Sequence, residues 1–174
     1  MKCIMTKFET KSDSNKAAVP ENLNKWFPER VLLRLVLETV PTVELPNLAR
    51  PRDGSRILRP EMMLTLLTYC YATGIHASED IVRAILSDRT IRYICAHNYP
   101  TWKDIRLFRR HYRDQVETCL TRVYQRAWAM KFDEGEASFE GVSWFERVLQ
   151  KDIKRIVDCK FDLAITLDRA YLED

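Results

Sequence analysis

Three features of the sequence predict an all-α fold, a compact multi-helix domain with a helix-turn-helix-like unit and one long helix. Apolar residues recur at steps of three and four in six separate stretches. Proline, Ser, Thr and Asp stand where helix starts need them, proline because the first helical turn has no use for its missing N–H, the others because their side chains can accept from orphan backbone donors. Only one stretch, Phe161 to Leu167, alternates as a strand would.

The elements follow in order. Residues 1–19 mix Lys, Ser, Thr, Asp and Asn without a sustained period and read as a mobile N-terminal arm. Pro28 opens a first helix, roughly 28–39, with Val31, Leu32, Leu35 and Val36 on one face and Pro41 as its stop. Two prolines, Gly54 and the charges Arg50, Arg52, Asp53 and Arg56 then make a connecting loop from Thr42 to Leu58. Pro60 opens a second helix, carrying Met62, Met63, Leu66, Leu67, Cys70 and Tyr71, and Gly74 suits the left-handed position that closes it. Ser78 is expected as the N-cap of a third helix, with Glu79 and Asp80 in its first turn and Ile81, Val82, Ile85 and Leu86 on its buried stripe. Asp88 caps a short fourth helix bearing Ile91, Tyr93 and Ile94, which ends before Pro100.

Thr101 and Asp104 approximate a capping box that begins the longest pattern, a fifth helix over 102 to about 130. Ile105, Phe108, Tyr112, Val116, Cys119, Leu120, Val123 and Ala127 share one face of it. After an acidic loop bracketed by Gly135 and Gly141, Trp144, Phe145, Val148, Leu149, Ile153, Ile156 and Val157 describe a further amphipathic helix. The segment from Phe161 onward suits strand or helix, since Ala164, Leu167, Ala170 and Tyr171 also share a helical face. The expected division is an arm over 1–19, a helical domain over 20–130 and a C-terminal helical extension over 131–174. Trp128, Trp144 and Phe145 would close that extension against the fifth helix, or form an oligomer contact.

Composition narrows the function. With 174 residues and 46% hydrophobic content the chain can build one ordinary core. Its four glycines, at 54, 74, 135 and 141, fall in no phosphate-cradling motif, so nucleotide-dependent chemistry of the common kinds is disfavoured. Five cysteines, at 3, 70, 95, 119 and 159, form no C-x-x-C pair, and the spacing of Cys95, His97, His111 and Cys119 matches no common zinc pattern. Buried thiols are therefore expected, with no metal and no cofactor. The N-terminus lacks an apolar signal segment and no stretch is long enough to span a bilayer, which points to a cytoplasmic protein without a membrane partner.

Charge is unevenly placed. The net +3 divides into +1 over residues 1–49, +6 over 50–126, with fourteen basic against eight acidic residues, and −4 over 127–174. Lys103, Arg106, Arg109, Arg110 and Arg113 lie along the fifth helix on a broad face away from Ile105, Phe108 and Tyr112. Guanidinium is a planar fork that contacts phosphate or a guanine edge bidentately, so an Arg-rich helix start suits a DNA major groove. The fourth helix, the Asn-Tyr-Pro turn and the fifth helix outline a helix-turn-helix, with the third as brace. Lys103 and Arg106, in the first turns, would read bases, while Arg109, Arg110 and Arg113 would clamp phosphates, extended by Arg89, Arg92 and the loop residues Arg50, Arg52 and Arg56. The same pattern also suits a merely solvated helix face, which leaves a helical interaction protein as the second reading.

The run Arg59-Pro60-x-Met62-Met63-Leu64-x-Leu66-Leu67-x-Tyr69-x-Tyr71 is followed by Gly74-Ile75-x-x-Ser78, by Asp88-x-x-x-Arg92-Tyr93-Ile94 and by Pro100-x-x-x-Asp104-Ile105-x-x-Phe108-Arg109. This order resembles the InsH-type N-terminal domain of bacterial insertion-sequence transposases over roughly residues 28–130. The resemblance implies an all-helical domain that precedes a DDE catalytic domain of RNase H-like fold and contributes recognition of the element's ends, with double-stranded DNA as partner and possible subunit contacts, as a homodimer or with a full-length transposase. Trp102-Lys103 departs from the small hydroxyl-rich residues commoner there. Fewer than 50 residues follow the fifth helix, too few for a two-metal carboxylate site, so no catalytic residue is expected. Asp168, at the end of the possible strand, reads either as a vestige of the first catalytic aspartate or as an ordinary surface acid.

Overall fold

The computed structural model describes residues 19–46, 58–132 and 142–173, with the side chains of 142–146 and 172–173 set aside. Seven α-helices are present among the described residues, with no strand, so the all-α expectation holds. They are α1 (Glu29–Thr39), α2 (Pro60–Thr73), α3 (Ser78–Ser87), α4 (Arg89–Cys95), α5 (Trp102–His111), α6 (Arg113–Phe132) and α7 (Val142–Glu173), with 3-10 turns at Leu23–Lys25 and Val40–Thr42. The expected arm, the loop arginines Arg50, Arg52 and Arg56, the acidic loop, and the Trp144 and Phe145 side chains lie outside the described residues.

The centre is α2. Every residue from Met63 to Ala72 is buried, as befits a helix that is apolar nearly all round. Helices α1, α4, α5 and α6 pack against it, and α7 lies along α6 and α3. Gly74 ends α2 at φ 99°, and a Cβ there would stand 2.8 Å from Asn22 Nδ2, so both the left-handed backbone and the close approach of the N-terminal turn require glycine. The core does not divide at residue 130. Ile153, Val157, Phe161 and Ala164 of α7 join Leu32, Leu66, Tyr71, Ile105, Val116 and Tyr124 in one buried cluster.

Two expectations change. The fifth helix is two helices, broken at Tyr112 (φ −117°, ψ 31°). No proline or glycine causes the break. Tyr112 is buried and its ring stacks on Phe108 with centroids 4.4 Å apart, on the same face as in a continuous helix. The alternating Phe161–Leu167 segment is helix, because its buried positions run Val157, Phe161, Ala164 and Asp168 at helical steps while Leu163 is 41% exposed.

Local signals account for several helix starts. Asp88 accepts from the backbone N–H groups of Thr90 (2.8 Å) and Ile91 (3.0 Å). Thr101 and Asp104 complete the capping box, with Thr101 N–H donating to Asp104 Oδ2 at 2.8 Å. Ser78 is not an N-cap. It is the first residue of α3, and the cap position falls on Ala77, which has no side chain to offer. Trp128 is half-buried, its ring 5.8 Å from Trp26 and 4.1 Å from Phe132, which ties α6 to the N-terminal turn.

Candidate nucleic-acid interface

The basic segment 89–113 divides into an inner and an outer set. Helix α5 fixes the division through its buried stripe, Ile105 and Phe108, with Arg109 beside them. At 100° per residue Arg109 lies only about 40° round the helix from Ile105, whereas Lys103, Leu107 and Arg110 fall within about 60° of one another on the opposite side.

Arg109 is 7% exposed. Its Nη1 donates to Tyr71 Oη at 3.0 Å and its Nη2 to Asp168 Oδ2. Burial opposes the charge, yet Tyr71 and Asp168 outweigh it and hold the guanidinium above its usual range. Arg106 donates from Nη2 to Glu79 Oε1 (2.7 Å) and to the Asp168 carbonyl (2.9 Å), and its Nε stands 3.2 Å from Asp168 Oδ2 without hydrogen-bond alignment. The guanidinium of Arg106 also lies over the Trp102 ring, 4.5 Å from its centroid, so the departure at Trp102 has a structural use. Asp168 completes the cluster by accepting from Ser78 N–H (2.8 Å) and Ser78 Oγ (2.9 Å). It supplies from α7 the N-terminal cap that α3 lacks in its own sequence. Asp168 is therefore no surface acid: at 5% exposure it joins α3, α5 and α7.

The outer set comprises Arg89, Arg92, Lys103 and Arg110, all exposed. Lys103 Nζ stands 5.3 Å from the centroid of the Trp102 ring, and Arg89 and Arg110 have no acidic partner among the described residues. Arg92 reaches the last turn of α3, donating from Nε to Ile85 O (3.4 Å) and from Nη2 to Leu86 O. Tyr93, 69% exposed, stands beside it on the outward face of α4. Arg113 belongs to neither set. It opens α6, pairs with Glu117 (Nε to Oε1, 2.6 Å) and stands 5.5 Å from the centroid of the Phe161 ring of α7. Of the seven expected contact residues, four thus face solvent, Arg89 and Arg92 on α4 and Lys103 and Arg110 on α5, while Arg106 and Arg109 are turned into the fold and Arg113 is tied to its own helix.

Other chemistry is sparse. No group of three His, Cys, Asp or Glu side chains gathers as a metal site among the described residues. Burial pushes the thiols of Cys70, Cys95 and Cys119 up, Cys95 to about 11, which leaves them protonated and unreactive near neutrality. A hollow of about 250 Å³ beside Thr42, Glu44, Asp114 and Arg122 is rimmed by acids and does not suit a polyanion. No helix of the described residues is long and apolar enough to cross a membrane.

The fold and this surface define a small all-helical domain with an interior Arg–Asp cluster and one unneutralised basic side. Residues 21–113, 93 of the chain's 174, match the family described as transposase domain (DUF772), and the chain belongs to that family. No curated protein and no solved structure matches the chain. The matched segment ends where α5 meets α6, so Arg106 and Arg109 lie within it and their partner Asp168 lies beyond it. Asp168, Ser78, Glu79 and Tyr71 carry no short motif. The available signal was the helical step from Phe161 and Ala164 to Asp168, legible only once that segment is read as helix.

Proposed function

We propose that this chain is a non-catalytic DNA-binding protein in which the transposase domain acts as an end-recognition module of the InsH type, separate from DDE chemistry. The observation that carries the reading is the outer basic surface: Arg89, Arg92, Lys103 and Arg110 face solvent, and no Asp or Glu occurs from residue 89 to residue 103. Asp88 and Asp104, which bound that stretch, are committed to helix caps, so neither needs the cations as partners. Exposed guanidinium and ammonium groups on α4 and α5 suit phosphates on a duplex, and the order α3, α4, α5 supports a helix-turn-helix-like presentation. Asp168, already satisfied by Ser78, Arg106 and Arg109, is accounted for without a metal or a reaction, which favours the non-catalytic reading.

Fluorescence anisotropy with a labelled duplex across a salt series tests this. Binding should weaken steeply with salt, and the variant with Arg89, Arg92, Lys103 and Arg110 all changed to alanine should lose it, with a salt slope shallower by about one per phosphate contact removed. Undiminished binding by that variant would overturn the assignment. A second reading, association with a transposase or a second copy, draws on Leu107, 54% exposed between Lys103 and Arg110. A concentration-dependent dimer that Leu107→Glu dissolves would support it.

A further inference from the structure

On the outward side of α4, Arg89, Arg92, Tyr93, Ala96 and His97 line an open hollow of about 430 Å³, within the roughly 300–1,000 Å³ of small-ligand clefts. Its construction is unusual for a solvated surface. Helix α4 ends in two successive non-glycine residues with left-handed backbone, Ala96 (φ 44°) and His97 (φ 66°), which turn the chain sharply and place His97 at the rim. The His97 ring in turn meets the Tyr99 ring edge-on, 6.4 Å away. Arg92 is held by the carbonyls of Ile85 and Leu86, which use two of its five N–H donors and leave three for a ligand. Tyr93 is 69% exposed, so the hollow combines aromatic surface with two cations.

A duplex presents phosphate ridges that gain nothing from an exposed tyrosine face. An unpaired base has two π faces to remove from water and a charged phosphate on each side. We propose that this hollow takes an unpaired nucleobase of a DNA strand, as at a frayed or forked end, stacked on Tyr93 with its flanking phosphates held by Arg89 and Arg92. The inference rests on the DNA-binding reading above and adds the form of DNA that this side of the molecule prefers. An acidic peptide would meet the same arginines but has no flat ring to place on Tyr93.

The test compares a blunt duplex with a forked duplex of the same sequence by anisotropy, with 2-aminopurine at the first unpaired position as a second readout. The forked DNA should bind more tightly by roughly 5- to 150-fold, the range of a single base–aromatic stack. Tyr93→Ala should bring the forked affinity down to the blunt value and leave the blunt value unchanged, and Tyr93→Phe should keep the preference. The 2-aminopurine fluorescence should be quenched on binding to the natural protein and to Tyr93→Phe, but not to Tyr93→Ala. Equal affinity for the two DNAs, or equal losses on both in Tyr93→Ala, would overturn the stacking site while leaving duplex binding standing. Failure to bind either DNA would overturn the DNA-binding reading together with it.

Discussion

Arg109 and Arg110 are neighbours in the chain, and α5 turns one into the protein and the other into water. Arg109 ends between Tyr71 and Asp168, whereas Arg110 has no acidic partner among the described residues. The same guanidinium thus holds a fold together on one side and is available to a ligand on the other. An inward arginine must be matched atom for atom, because an unpaired charge at low dielectric is expensive. An outward one is nearly neutral for stability, and its value depends on what approaches it. The two sides should therefore respond in opposite ways to substitution.

The largest effect should come from the inner side. Asp168→Ala leaves the Arg109 charge buried without its carboxylate and removes the cap of α3 at Ser78, and it should lower unfolding free energy by about 3–5 kcal/mol. Chemical denaturation followed by circular dichroism measures this. Adding Arg109→Met to Asp168→Ala should recover a large part of the loss, since the stranded charge goes with it. If Asp168→Ala cost no more than Arg110→Ala, the distinction between the two sides would collapse.

A second inner cation sharpens the comparison through pH. Lys160 on α7 is 3% exposed and donates to Asn22 Oδ1 at 2.9 Å. Burial pulls its ammonium down to about 8, partly offset by Glu21, and the neighbouring His76 is pulled down to about 4 by burial and by Lys160 itself. Between the folded value near 8 and the ordinary 10.5, the unfolded chain holds the proton that the folded chain has released, so the contribution of Lys160 to stability should rise with pH across that window. The rise is on the order of 3 kcal/mol for a shift of this size. The buried thiols of Cys70, Cys95 and Cys119, held above their ordinary value near 9, act in the opposite sense as the unfolded thiols ionise, and tyrosines such as Tyr71, which burial pushes up to about 12, do so above about pH 10, so the lysine's share is read as the difference between the natural protein and Lys160→Met. Lys160→Met should remove this contribution, making the change of stability with pH more negative than in the natural protein, and let His76 titrate higher, measurable by its ring proton shifts. A slope unchanged in Lys160→Met would show that the ammonium is not the titrating group.

The difference between the two sides was partly legible in the sequence. The helices around Pro60, Gly74, Asp88 and Thr101 announce themselves because caps and breakers act within four residues, and periodicity marks α1 and α3 for the same local reason. Arg109 could have been set apart from Arg110 by its place next to Ile105 on the helical wheel. Its partner could not have been named, since Asp168 lies 59 residues further on in a segment whose alternation imitated a strand. The break at Tyr112 likewise has no proline or glycine to announce it. Sequence spacing located the basic surface. Which charges the protein keeps for itself depended on what α7 brings to them.

Arg113 supplies the smallest and most discriminating expectation, because it stands between the two classes. Its side chain is 49% exposed and its ion pair with Glu117 spans a single helical turn, so Arg113→Ala should cost about 0.5 kcal/mol or less. Its position over Phe161 directs it toward α7 and away from Lys103 and Arg110, so the same substitution should also leave duplex affinity nearly unchanged. Arg110→Ala should cost as little stability yet weaken binding uniformly across sequences and lower the salt slope by about one. Measured side by side by denaturation and anisotropy, the pair separates exposure from function: both arginines reach solvent, and only the one on the outer face of α5 is positioned beside the other free cations. Equal binding losses from the two substitutions would extend the interface onto α6 and move its boundary to the edge of α7.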